Sequence, residues 1–199
     1  MTNVGNTGIS PGYPFSREYP STAPADMGFQ GWTFDPAITS NVILLSTVAA
    51  AGVSATIVIP VAQAFTVARG VSLILTTPGA TLTASQNLVA VYQGNATVGI
   101  PLVGTSADQS ATWVGATGLI TAGGGTLVGQ VVYPPFVTVA LWFNGTTAPT
   151  FQRGVQSPGL NGLGAPFRYG TAGSGLTTAA PATLGAVTSG QYAIWAAIS

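Results

Sequence analysis

The residue types that could do chemistry are few: only eight of the 199 residues carry a charge. Lysine, histidine and cysteine do not occur in the sequence. A Ser–His–Asp or Cys–His site therefore lacks its imidazole, and a Ser–Lys site lacks its amine. Zinc centres built from His and Cys are excluded as well. The charged residues are Arg17, Glu18, Asp26, Asp35, Arg69, Asp108, Arg153 and Arg168.

The carboxylates are too scattered for most acid–base or metal chemistry. Glycoside hydrolysis uses two carboxylates on either side of the bond, but Asp108 is the only acid after residue 38. Glu18, Asp26 or Asp35 would reach it only across a subunit contact. One aspartate with backbone carbonyls makes at most a weak calcium site. We expect no enzyme activity, no cofactor and no metal site.

Aromatic side chains supply the remaining candidates for ligand chemistry. They could form a stacking platform for sugar rings, with hydrogen bonds from Asp108, Gln109 and Asn144. Strand aromatics are more often core residues than ligand platforms, and both interpretations stay open here. The platform would comprise Tyr92, Trp113, Tyr133, Trp142 and Trp195.

The arginines lie apart from the acids. Arg153 and Arg168 have apolar and glycine-rich neighbours, where a guanidinium commonly donates to backbone carbonyls or stacks on aromatic rings. Three of the four acids precede residue 38, so acids of one subunit could pair with arginines of another. We therefore name Asp108, Trp113, Arg153 and Arg168 as possible ligand or intersubunit contacts.

The composition also restricts the partners. Charged residues make up 4% of the chain and the net charge is zero, against about 25% charged residues in ordinary soluble domains. Nothing steers such a chain to nucleic acid or an anionic membrane, and nothing opposes self-association. Residues 42–59 form an uncharged run, but Gly52 and the β-branched residues in it favour two short strands over a membrane helix.

Residues 1–38 differ from the rest of the chain. They contain five prolines and no period-2 or period-3.6 pattern, so we predict an extended arm. An arm without a core must be held by its own domain or by a partner, and we favour docking on a partner. The aromatic residues that would dock are Tyr13, Phe15, Tyr19, Phe29, Trp32 and Phe34.

From residue 39 onward, short β-type runs recur between turn signals, and no amphipathic helix is visible. We predict an all-β fold: a jelly-roll-like antiparallel β-sandwich over 39–199 behind the arm 1–38. Residues 144–190 read as a long irregular loop, and loops of that length usually have a function. The predicted strands are 41–48, 53–61, 66–75, 88–93, 127–132, 138–143 and 191–198.

Several sequence blocks resemble a known module. They read LVAVY at 88–92, GTSADQSATW at 104–113, VALWFNGTTAPTFQR at 139–153, FRYGTAG at 167–173 and YAIWAA at 192–197. In this order they resemble the β-sandwich of virion proteins of tailed phages that infect actinobacteria. The resemblance covers residues 39–199 and leaves the arm unmatched. In such proteins the module is often the C-terminal part of a longer minor tail protein, whereas here it follows a short arm.

The resemblance implies a structural protein on the surface of a phage particle, with no cofactor and no enzyme activity. We expect a minor tail or capsid-decoration protein, anchored by its arm to the major capsid or tail protein and assembled as a homotrimer. The alternative is a module for host attachment that binds a surface glycan or receptor of the host envelope.

Overall fold

The computed structural model describes residues 24–34, 41–44, 54–95, 98–115, 117–154, 169–172, 179–190 and 194–199. Within them the chain is built almost entirely of antiparallel strands. The helical parts are a 3₁₀ turn at Pro24–Met27 and one short α-helix, α1 (Ser110–Trp113). The predicted all-β antiparallel sandwich is confirmed. The finer prediction of a jelly-roll-like strand order stays a prediction.

One layer is a six-stranded sheet. Its strand order is β1–β17–β5–β13–β2, and β9 also pairs with β5. The strands are β1 (Gly31–Trp32), β2 (Asn41–Leu44), β5 (Val71–Thr77), β9 (Gly118–Ala122), β13 (Thr150–Arg153) and β17 (Ala196–Ile198).

The second layer is a seven-stranded sheet, in the order β15–β8–β7–β11–β3–β14–β16. Its strands are β3 (Ser54–Pro60), β7 (Leu88–Gln93), β8 (Ile100–Thr105), β11 (Phe136–Trp142), β14 (Tyr169–Ala172), β15 (Thr183–Leu184) and β16 (Val187–Ser189). Two small ribbons complete the description: β4 (Phe65–Thr66) with β10 (Val131–Val132), and β6 (Ala80–Leu82) with β12 (Gly145–Thr147).

The core follows from strand alternation. Val71, Leu73 and Leu75 of β5 are buried in the same cluster as Ile57 and Ile59 of β3. Side chains two residues apart point to the same face of a strand, so these rows line the space between the two sheets. Valine, isoleucine and leucine side chains at alternate strand positions therefore fill the space between the two sheets.

The central strands of the seven-stranded sheet are buried on both faces. All residues from 88 to 92 of β7 are buried, as are residues 137–142 of β11. Strands covered on both sides read as continuous apolar runs rather than as alternating ones. This explains why β7 was predicted with its observed bounds.

The segment 24–34, predicted as part of a partner-docking arm, lies on the chain's own six-stranded sheet. Gly31 pairs with Ile198 and Trp32 with Ala197. Thr33 N donates to Ala196 O at 2.9 Å, and Ala196 N donates to Thr33 Oγ1 at 3.1 Å. For these residues, wrapping on the same subunit is the observed arrangement. The physical reason is that β17 offers an edge for strand addition and an apolar surface beside it.

The prediction of an irregular loop over 144–190 is wrong for much of its described part. Five strands lie there: β12, β13, β14, β15 and β16. Most of their partners are distant in sequence, as in the pairing of β13 with β2 and β5 and of β14 with β3, while β16 pairs with the nearby β14. Short strands of glycine and threonine have little local signal, and they are stabilised by the neighbour that they pair with.

Other differences have local causes. The predicted strand 127–132 is mostly a turn, in which Gly129 has a φ of +90°, and only Val131–Val132 is a strand. The apolar run 42–59 overlaps β2 and β3, as expected from its β-branched residues. Among the described residues, no helix is both long and apolar enough to cross a membrane.

Candidate functional site

Asp108 lies in an exposed loop between β8 and α1. Its Oδ1 accepts hydrogen bonds from Asn87 N at 3.2 Å and from Ser110 Oγ at 2.9 Å. In the part of the chain that the structure describes, no group of three His, Cys, Asp or Glu side chains could hold a metal ion. The carboxylate is thus placed to organise its own loop.

A buried asparagine lies beside it. Asn87 has no exposed surface, and its Nδ2 donates to Thr83 O at 2.8 Å and to Ser110 Oγ at 2.9 Å. Its Oδ1 accepts from Asn144 N at 2.9 Å. We call Asn87, Thr83, Asp108, Ser110 and Asn144 the Asn87 junction. It joins the β6–β7 loop, the β8–α1 loop and the β11–β12 turn.

The Asn87 junction brings together Asp108 and Asn144, which the sequence named as hydrogen-bonding candidates, but the missed Asn87 is at its centre. The Asn144 side chain donates to Gln86 Oε1. Gln109 is only 4% exposed, and its Nε2 donates to Ala107 O at 2.8 Å. The hydrogen bonds among Asn87, Asp108 and Asn144 therefore hold three loops together. Gln109 Oε1, in contrast, is buried without a hydrogen-bond partner in the described residues. The sequence signal that could have indicated Asn87 is its position directly before the apolar run 88–92.

The aromatic platform is not formed. Trp113, Trp142, Trp195 and Tyr92 are each at most 3% exposed, whereas Tyr133 is 56% exposed. Burial of the first four shows that they are core residues, and only one of the five proposed rings faces solvent. The platform interpretation is wrong because other parts of the chain pack over these four rings, as Phe29 packs on Trp195.

The buried rings pack against partners in the core. Trp113 meets Phe151 edge-on, with ring centroids 5.7 Å apart. The ring centroids of Tyr92 and Trp142 are 6.4 Å apart. The Tyr92 hydroxyl donates to Pro181 O at 3.1 Å. Burial raises the pKa of Tyr92 above its usual value, because ionisation would place a charge in an apolar environment.

Two arm aromatics are also buried. Phe29 and Trp32 are 9% and 7% exposed and form a cluster with Trp195 and Ala197, with Phe34 at its margin. The rings of Phe29 and Trp195 meet edge-on at 5.9 Å. Phe29 and Trp32 therefore pack against the chain's own sheet and do not extend toward a particle. Tyr13, Phe15 and Tyr19 lie outside the described residues.

The arginine candidates have separate positions. Arg153 is half-buried at the end of β13, where its Nη1 donates to Gly154 O at 3.0 Å, and its backbone bridges to Ile194. Arg69 is exposed, and its backbone N–H donates to Ser199 O at 2.9 Å. Arg168 lies outside the described residues, as do Glu18 and Asp35. A carbonyl acceptor for Arg153 is one of the partners that the sequence predicted.

Comparison with known proteins by family models and by curated sequences identifies no relative of this chain. A scan against protein-family models finds no match for the chain, and a search of curated proteins finds no similar sequence.

Proposed function

We propose that this chain is a structural protein on the surface of a tailed bacteriophage particle, of the capsid-decoration or minor tail type. The observation that carries the proposal is the lack of reactive groups in the described residues, whose charged members are Asp26, Arg69, Asp108 and Arg153. A β-sandwich whose surface carries few charges packs against other proteins while desolvating few ions. Such a protein acts through contact area rather than through a reaction.

The resembling sequence blocks support the same role. Residues 88–92 lie within β7, residues 104–113 run from the end of β8 through α1, and residues 139–153 run from β11 to β13. These segments contain much of the Asn87 junction and of the core between the sheets. The resemblance therefore lies in the residues that stabilise the sandwich.

Anchoring to the major capsid or tail protein is assigned to residues 1–23. Phe29 and Trp32 are occupied in the chain's own sheet, which leaves Tyr13, Phe15 and Tyr19 as the anchoring aromatics. A homotrimer would repeat this anchor, and the repetition raises the effective concentration of each contact. The glycan- or receptor-binding alternative loses its platform, since four of its five aromatic rings are at most 3% exposed.

Particles assembled in the presence of the full chain test the anchor. We expect mass spectrometry and immunogold labelling to find the wild-type chain on purified particles in many copies. The triple variant Tyr13→Ala/Phe15→Ala/Tyr19→Ala should fold with an unchanged circular dichroism spectrum and be lost from the particles. Met27→Ala, at a side chain 54% exposed in the described part of the arm, is the matched control and should be incorporated normally.

One result would overturn the proposed role, and a second would overturn only the anchor. Absence of the wild-type chain from purified particles removes the structural role. Normal incorporation of the triple variant removes the anchor while leaving the role intact. Light scattering of the full chain tests the homotrimer separately.

A further inference from the structure

Strand β9 forms an edge of the six-stranded sheet in the part of the chain that the structure describes. In the described residues it pairs with β5 alone, in a regular register from Val71↔Ala122 to Leu75↔Gly118. No backbone hydrogen bond from its other edge is formed by the described residues. The edge therefore presents a row of N–H and C=O groups that another strand can pair with.

The usual devices that protect an edge are absent from β9. Natural edges carry a lysine, a proline, a bulge or an inward-pointing charge. The strand reads GLITA with an uninterrupted register, and no charged residue occurs between positions 109 and 152. Five of the seven exposed large apolar side chains of the described residues lie in this uncharged stretch: Val114, Leu119, Val128, Val131 and Tyr133.

The side chains of β9 continue an apolar surface that the chain covers elsewhere. Leu119 is opposite Ile74, and Thr121 is opposite Ser72, whose hydroxyl lies 3.0 Å from the Thr121 hydroxyl. Residues directly opposite in a sheet share a face. Ser72 is in turn opposite Ala197, and Ala197 is opposite Trp32. We call this surface the Trp195 face: Trp32, Ser72, Ile74, Leu119, Thr121, Trp195 and Ala197.

The segment 24–34 covers only one half of the Trp195 face. Over β17, Trp195 and Ala197 are at most 1% exposed, whereas over β9, Leu119 is 61% exposed. Strand addition has thus already occurred at one side of this sheet, through β1 on β17. The other side, at β9, offers the same two features in the described residues: a backbone edge and an apolar side chain beside it.

We propose that β9 is a self-association edge, to which β9 of a second copy of this chain adds in antiparallel orientation. Like residues approach one another across a two-fold axis, so a charged strand would repel itself, and β9 carries no charge. With Ile120 on the axis, Leu119 lies opposite Thr121 of the second copy, with their Cβ atoms about 5 Å apart. The two six-stranded sheets then form one continuous sheet.

The pairing predicts an even number of copies in solution. An isologous contact closes on two subunits, and it is additional to any three-fold contact. A dimer results if it acts alone, and a hexamer results if trimers are joined in pairs. This inference does not depend on the particle role.

The test is the mass of the full chain in solution. We expect light scattering and sedimentation to give a dimer or a hexamer. Leu119→Lys should raise the dissociation constant of the paired form about tenfold or more, because a lysine loses the apolar contact and repels its symmetry mate. Val98→Lys, at a position 63% exposed in the β7–β8 loop, is the matched control and should leave the mass unchanged.

A mixing experiment separates the interface from damage to the fold. Leu119→Lys and Leu119→Glu should each be unpaired alone and should associate when mixed, because opposite charges then lie diagonally across the axis, about 7–8 Å apart and within reach of long side chains. Hydrogen exchange of the β9 amides should slow with rising concentration of the wild-type chain. A monomeric or trimeric wild type, an unchanged mass for Leu119→Lys, or concentration-independent exchange at β9 overturns the proposal.

Discussion

One face of the seven-stranded sheet is covered across its central strands, whereas the described residues cover the Trp195 face of the six-stranded sheet over β17 and leave Leu119 of β9 exposed. On the first, Tyr92, Thr138, Ala140 and Trp142 are at most 3% exposed. On the second, exposure increases from Ala197 to Leu119 within the same sheet. The difference lies in what covers each face: Pro181 accepts a hydrogen bond from Tyr92, while the segment 24–34 stops short of β9.

A large buried ring stabilises the whole domain through its packing, whereas an exposed apolar strand can pack against a partner. Rings that were predicted to form one platform therefore lie on different faces. Tyr92 and Trp142 belong to the covered face, and Trp195 belongs to the half-covered face, beside Trp32 of the arm. Only Tyr133 lies in solvent among the five rings of the predicted platform.

The largest expected effect is at the covered face. Trp142→Ala should lower the free energy of unfolding by about 3–5 kcal/mol, because the truncation leaves a large cavity where the buried ring packs beside Tyr92. Tyr133→Ala is the control at an exposed ring and should change it by less than about 0.5 kcal/mol. Chemical denaturation measures both, and equal effects would mean that Trp142 is not a core residue.

The next effect is at the Asn87 junction. Asn87→Ala should cost about 2–3 kcal/mol in the free energy of unfolding, because it leaves the buried groups of three loops without their partner. Thr83→Ala is the matched control, since Thr83 contributes only backbone atoms to these bonds. An effect as small as that of the control would show that the loops are held by other contacts.

A smaller effect is expected where the arm crosses the sandwich. A Cβ on Gly31 would lie 2.5 Å from Pro60 O, so Gly31→Ala must displace β1 and should cost about 1–3 kcal/mol. Hydrogen exchange should become faster at Thr33 and Ala196, while β7 stays protected. Gln30→Ala, at an exposed neighbour, should change neither. Uniform acceleration over both sheets would contradict a local role of the arm.

The smallest effect is a pH dependence from two tyrosines of the seven-stranded sheet. Burial raises the pKa of Tyr92 and of Tyr169 in the folded protein, so above about pH 10 the unfolded state loses protons that the folded state keeps. The free energy of unfolding should therefore fall as the pH rises above 10. Tyr92→Phe should weaken this dependence, with Tyr169 accounting for the rest, and an unchanged slope would exclude a contribution from Tyr92.

Sequence reasoning succeeded where the signal is local. The continuous apolar run at 88–93 predicted β7 with its observed bounds, because two-sided burial requires such a run. It failed for β9 and β13, whose residues become strands through pairing with β5. It also missed Asn87, since a single asparagine between a turn and a strand does not reveal which three loops it joins.

Composition alone determined that this chain carries neither imidazole, thiol nor amine side chains, and local pattern determined that it folds as β-strands. Only the tertiary structure decided where the arm segment 24–34 lies and which aromatic rings are buried. The reason is that those outcomes depend on groups distant in the chain, as in the bond from Ala196 N to Thr33 Oγ1 across 163 residues. Strand pairing at such separations is set by the complementarity of whole sheets, which no local window of residues contains.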